Sequence, residues 1–191
     1  MKKIIFSCLL ILQLFLTVDS FSQIRQAGIG GMYTSLGSKI LEMNNIHYGV
    51  HILVENSLFS EMQTVKFELS YSVLSDTSNT YRTIESITQG SVAVGYTLGK
   101  GKRLQMPLYV LLSFNSFHNV QPTGFIKSAV WDGYEVGLRF FVSNKLGIYT
   151  NASINGVRSG DVKAINSAGA SVKSPFGSVR LTGGLFYTIG K

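Results

Sequence analysis

At 191 residues, 45% hydrophobic and only 14% charged, the chain is one domain too apolar for an ordinary soluble surface, where charged residues make up about a quarter. Its formal net charge is +7, but Lys100, Lys102, Arg103 and Lys145 fall in apparent turns and the other cations are spread singly. That pattern argues against nucleic acid as a partner and favours phosphate-bearing lipid headgroups.

The N-terminus reads as an export signal. Lys2-Lys3 precedes an apolar stretch, Ile4–Val18, and Ser20 and Ser22 supply the small residues of a cleavage site before Gln23. Residues 1–22 are therefore expected to be removed, leaving a domain over 23–191. The single cysteine, Cys8, lies in the apolar stretch. Its departure would exclude disulfides, thiol nucleophiles and Cys-based metal sites at once. Beyond it, no segment approaches the roughly 20 apolar residues of a membrane helix.

Eight segments then alternate with a period of two, the spacing that puts successive side chains on opposite faces of a strand. The first, 26–35, aligns Ala27, Ile29, Gly31 and Tyr33. The second, 46–55, sets Ile46, Tyr48, Val50, Ile52 and Val54 against His47, Gly49, His51, Leu53 and Glu55. The third, 65–73, is the clearest: Val65, Phe67, Leu69, Tyr71 and Val73 oppose Lys66, Glu68, Ser70 and Ser72. Val92, Val94, Tyr96 and Leu98 align in the fourth (91–99), and Leu108, Val110, Leu112 and Phe114 in the fifth (104–116). The sixth, 132–142, sets Tyr134, Val136, Leu138, Phe140 and Val142 against Glu135, Gly137 and Arg139. The seventh (146–154) aligns Leu146, Ile148, Ala152 and Ile154, and the eighth (178–190) Val179, Leu181, Leu185, Tyr187 and Ile189 opposite Arg180, Thr182 and Gly184. Each approximates the 9–11 residues of a tilted membrane strand.

The intervening connections alternate as well. Those at 56–61, 100–103 and 143–145 are short; those at 36–45, 75–89, 117–131 and 155–177 are longer and polar. Tight turns at one end and longer loops at the other are the habit of outer-membrane barrels. With the first strand running outward, Tyr33, Tyr48, Tyr71, Phe114 and Tyr134 fall near the outer end. Phe67, Tyr96, Phe140 and Tyr187 fall near the inner one. Two aromatic girdles around an aliphatic waist suit the two membrane interfaces.

In these features the chain resembles the small eight-stranded outer-membrane β-barrel families of the outer-membrane protein X and outer-membrane protein A type. The resemblance covers 26–191 and is one of architecture. It implies an all-β, antiparallel, up-and-down transmembrane β-barrel in the cell outer membrane. It also implies contact with outer-membrane lipid, lipopolysaccharide included, and insertion by the barrel-assembly machinery.

An eight-stranded interior is just wide enough for side chains to fill. Glycines 49, 95, 137, 147 and 184 leave room there for Lys66, Glu68, Glu135, Arg139, Arg180 and Tyr149. Buried charges must pair, and the nearest candidates are Lys66–Glu68 and Glu135–Arg139. A plug of ion pairs is the expectation; a narrow ion pathway is the alternative. His47 and His51, four apart on a strand, stand about 13 Å apart, too far to share a metal ion, so no metal or other cofactor is expected. Gly-Lys-Gly-Lys at 99–102 reads as a tight hairpin turn.

A catalytic alternative also arises from parity. Ser116 and His118 share a face with Phe114, and Asp132 shares one with Tyr134. Were Leu112 opposite Leu138, His118 would lie opposite Asp132. A Ser–His–Asp set can activate a hydroxyl for acyl transfer, and this one resembles the outward-facing site of barrel enzymes that deacylate lipid A, with the Ser and His order reversed. The expected role is instead non-enzymatic, structural or binding, with the loops offering the contact surface. Phe125, Ile126, Val130 and Trp131 in the loop at 117–131, together with the loop at 155–177, are the contact candidates for a protein partner.

Overall fold

A computed structural model describes residues 25–38, 43–57, 62–75, 84–120, 128–159, 163–165, 171–173 and 177–189. The expected signal segment, 1–22, and the residues around Phe125 and Ile126 lie outside the described residues. In chain order the strands are β1 (Arg25–Ser38), β2 (Met43–Ser57), β3 (Gln63–Leu74), β4 (Ile84–Leu98), β5 (Leu104–Val120), β6 (Ser128–Phe141), β7 (Leu146–Ser159), β8 (Lys163–Ile165), β9 (Ser171–Lys173) and β10 (Gly177–Ile189).

Eight of them close into one antiparallel barrel in the order β1-β10-β7-β6-β5-β4-β3-β2, and β8 and β9 form a separate hairpin. Closure comes from β10 pairing along the length of β1, from Arg25↔Ile189 to Gly37↔Gly177, which leaves the barrel without a free sheet edge. Following partners round the wall from Gln26 runs through Glu55, Lys66, Ala93, Leu111, Gly133, Asn155 and Ser178, and arrives at Leu36. A circuit that returns ten residues up the same strand means a tilt of about 40–45° and a bore that side chains can fill.

The wall is inside out. Ile29, Val50, Val110 and Ile154 are each at least 60% exposed, whereas Lys66, Glu68 and Arg180 are at most 5% exposed. Every strand that alternates in sequence keeps that parity in space, with the apolar residue outward. Water would not tolerate such an exterior and hydrocarbon requires it, so the barrel is a transmembrane one. Val65 departs from this pattern, being buried opposite Asn56 although its parity is outward.

Strands outrun their sequence signal at the end where the longer loops were expected. β4 begins at Ile84 rather than 91, and β7 runs to Ser159 rather than 154. The connection between β1 and β2 consequently shrinks to 39–42, no longer than the turn at 99–103, so the strict alternation of short and long connections does not hold there. The loop expected over 155–177 contains the β8–β9 hairpin, with Lys163 opposite Lys173.

Two glycine positions show how the backbone imposes its choices. The 99–103 turn places Gly99 at φ 71° and Gly101 at φ 83°, left-handed conformations that a side chain resists; Lys102 N donates to Gly99 O at 2.9 Å. Inside the barrel, a Cβ on Gly147 would collide with the Phe186 ring. Gly147→Ala is therefore expected to cost about 1–3 kcal/mol, measured by denaturant unfolding in lipid vesicles. Phe186→Leu should recover part of the loss, because it removes the obstructing ring.

Two irregularities interrupt the wall: the β6–β7 register shifts between Val130 and Trp131, and the second lies between β5 and β6. The β5–β6 ladder passes from Gln105↔Arg139 to Leu108↔Val136 without a pair at Pro107, whose nitrogen has no hydrogen to give. Gly137 lies alongside, where an added Cβ would stand 2.8 Å from the Pro107 ring.

Candidate functional site

Glu55, Lys66, Glu68, Glu135, Arg139 and Arg180 point into the bore and are all buried. Three cations and three carboxylates make it formally neutral among the described residues, the condition under which buried charges are tolerated. β2, β3, β6 and β10 supply these six residues, so their mutual attraction spans the lumen rather than lining one wall.

They form two connected groups. In the first, Lys66 Nζ donates to Glu68 Oε2 at 3.1 Å and also to Glu135. Arg180 lies 2.9 Å from Glu68 Oε1 and 3.3 Å from Glu135 Oε2, and its Nη1 donates to Gln89 Oε1 at 2.8 Å. His51 extends this group: its Nδ1 is 3.1 Å from Glu68 Oε1, and Nε2 is 2.8 Å from the Tyr149 hydroxyl. In the second, Arg139 grips Glu55 with both guanidinium nitrogens, at 2.7 Å from Nη1. Arg139 Nη2 also donates to Tyr109 Oη at 3.0 Å, while the Tyr109 hydroxyl donates to Glu55. Lys66 stands 5.2 Å over the Tyr109 ring, a cation–π contact that joins the two groups.

Of the two pairings expected from sequence, Lys66–Glu68 forms and Glu135–Arg139 does not. Residues four apart on a strand are about 13 Å apart. Each therefore finds its partner across the bore: Glu135 takes Lys66 and Arg180, and Arg139 takes Glu55. Glu55, Tyr109, Gln89 and His51 were not foreseen as members. Parity had already put Glu55 and His51 inward, but which wall each would meet depends on the circuit of registers.

Apolar side chains complete the filling. Leu53, Tyr149 and Phe186 cluster with Phe141, whose ring meets that of Phe186 at 4.8 Å and 83°. Toward the loop end, Phe117 and Trp131 pack at 5.8 Å between centroids. Trp131 is thus not an exposed loop residue, as the sequence suggested. It sits in β6, 2% exposed, on the inward parity of Glu135. Its partner across the ladder is the small Ser113, which leaves the indole room inside. Val130, next to it, is half-buried in the same strand.

The outward Ser–His–Asp set does not assemble. Leu112 lies opposite Asp132, not Leu138, and Ser116 lies opposite Ser128. Asp132 is thereby about 13 Å down the wall from the level of Ser116, and His118 Nε2 instead meets Thr88 Oγ1 at 3.2 Å. His47 and His51 also go separate ways, His47 Nε2 lying 2.6 Å from the Ile84 carbonyl oxygen.

On the exterior, Tyr48, Tyr71 and Phe114 are exposed toward the loop end, with Tyr33 half-buried edge-on against Tyr48 at 5.5 Å, while the exposed Tyr134 sits midway along β6 opposite Val110. Tyr96, Phe140 and Tyr187 are exposed toward the turn end; Phe67, half-buried and opposite Val54 and Val92, lies nearer the waist than expected.

A lipid-facing wall around a neutral, ion-paired lumen defines the class: a small eight-stranded transmembrane barrel with the fold of the outer-membrane barrels. Solved structures share it. Neisserial surface protein A superposes with a TM-score of 0.64 at 10% identity, covering 88% of this chain and 100% of that one. The outer membrane protein OprG from Pseudomonas aeruginosa gives 0.53 at 9% identity, covering 90% and 98%. Ail, the attachment invasion locus protein of Yersinia pestis, gives 0.51 at 13% identity, covering 88% and 99%. No family model matches the chain, and no curated protein matches it in sequence.

Proposed function

We propose that this chain is an exported, integral protein of the cell outer membrane with a structural or binding role, not a catalyst. Its turn end faces the periplasm, its aromatic rings sit at the two interfaces, and its loops meet outer ligands or partners. The observation that carries the reading is the lumen: six charged groups cross-link four strands, which favours a braced post over an open channel. Recognition is then the task of what the post displays, and the connection between β7 and β10, which carries the β8–β9 hairpin, is the candidate contact surface. The separation of Asp132 from Ser116 removes the geometric support for lipid deacylation.

Reconstituted into planar bilayers, the full chain is expected to pass no steady single-channel current. In cells, its expression should leave the acylation of lipid A unchanged by mass spectrometry, with Ser116→Ala indistinguishable from the parent. Steady currents altered by Arg139→Ala would support a channel instead, and deacylated lipid A lost with Ser116→Ala would support an enzyme.

A further inference from the structure

The turn end carries a cluster of cations that the lumen does not use. β5 and β6 are neighbours, with Leu104↔Phe140 the last pair before their turns, so the 99–103 turn and the 142–145 turn sit side by side on the rim. Phe141 N donates to Arg103 O at 2.8 Å, which ties one turn to the other. The second turn is itself held: Val142 N and Ser143 N both donate to Leu146 O, at 2.9 and 3.0 Å, and Leu146 N donates back to Ser143 Oγ at 3.0 Å. Thr188 N donates to Lys145 O at 2.8 Å, fixing this turn to β10.

Lys102, Arg103 and Lys145 project from this braced rim and are exposed. None of the three has a carboxylate partner among the described residues. Lys100 is more drawn in, donating to Ser57 Oγ. Along the chain, the sequence contains no Asp or Glu from 86 to 131, nor from 136 to 160. Directly adjoining them on the outer wall, Leu98, Leu104, Val142, Leu146 and Tyr187 are exposed and apolar. The cations therefore begin where the hydrocarbon-facing band stops, at the depth of lipid phosphates.

Resting on the transmembrane reading, we propose that Lys102, Arg103 and Lys145 form a binding site for the headgroups of anionic phospholipids in the leaflet at the turn end. Three exposed cations carried on two tied turns can meet the phosphodiesters of neighbouring headgroups, while the apolar wall takes the acyl chains. A free phosphate would meet the same charges without that second contact. The site lies on the β4–β7 sector of the rim, so lipid would be enriched on one side of the barrel.

The test uses the full chain in nanodiscs of phosphatidylcholine with a minor fraction of phosphatidylglycerol, followed by native mass spectrometry of the lipids it retains. Enrichment of phosphatidylglycerol over its bulk share is expected, on the order of fivefold per cation at low salt and falling as salt rises. The K102S/R103S/K145S variant should return to the bulk ratio, while Asp132→Asn at the loop end should change nothing. Excess inorganic phosphate should fail to displace the lipid. Equal retention of both lipids by the parent chain, or undiminished enrichment in the triple variant, would overturn the proposal. So would displacement by inorganic phosphate, or capture by these cations of soluble acidic wall fragments in place of lipid. Heat-modifiable gel migration and stable insertion of the same samples report separately on the transmembrane reading.

Discussion

Arg139→Met is expected to destabilise the barrel by about 3–5 kcal/mol, the cost of leaving a buried carboxylate without its partner. Arg139 satisfies Glu55 with two nitrogens and also donates to Gln26 Oε1 at 3.0 Å. Methionine keeps much of the stem's volume and none of the charge. Glu55 would then face only the Tyr109 hydroxyl, with the lumen carrying a net negative charge. The double variant Glu55→Gln/Arg139→Met restores neutrality and should recover most of the loss, so a double-mutant cycle reads the pair directly. Urea unfolding in lipid vesicles, followed by gel migration, is the measurement. Were the two single variants to cost no more than a few tenths of a kcal/mol, the lumen would be wet enough to solvate each charge alone.

Leu69→Arg tests the other face. Leu69 is 53% exposed, between Ile52 on β2 and Gly90 on β4. An arginine near the middle of a lipid-facing strand costs about 2–4 kcal/mol. The same change on a soluble protein's surface would cost almost nothing. Ser70→Ala, one residue on and buried in the lumen, should shift stability far less, since it removes only a long contact to Gln89 at 3.5 Å. The contrast between adjacent positions of opposite parity separates a membrane wall from a sandwich in water.

Parity was the legible part of this chain. Strand alternation depends only on whether a side chain meets lipid or lumen, and that signal survives in one sequence; it placed Lys66, Glu68, Glu135, Arg139 and Arg180 inside. Register was not legible, because sliding β5 past β6 by an even number of residues preserves every face. The expected pairing of Leu112 with Leu138 and the actual one with Asp132 differ by six residues and share the same parity. The Ser–His–Asp alternative rested on that choice and dissolved with it. The Glu135–Arg139 pairing failed for a related reason, since partners across a closed bore depend on the whole circuit of registers. Strand ends were hidden too: toward the loop end, in segments such as 84–90 and 155–159, the sharp contrast between apolar and polar faces gives out. Trp131 was misjudged by a single residue. The alternation first shows at the outward Asp132, so the inward Trp131 beside it falls to the preceding loop when read from sequence, although β6 begins at Ser128.

The most direct measurement uses the chain's single tryptophan, Trp131. In vesicles containing brominated phospholipids, native Trp131 fluorescence should be almost unquenched, because the indole sits inside the barrel. With Trp131→Phe as background, Val110→Trp on the outer wall should be quenched strongly. Strong quenching of Trp131 together with a protected tryptophan at position 110 would contradict the inside-out arrangement on which the fold and the lumen both depend.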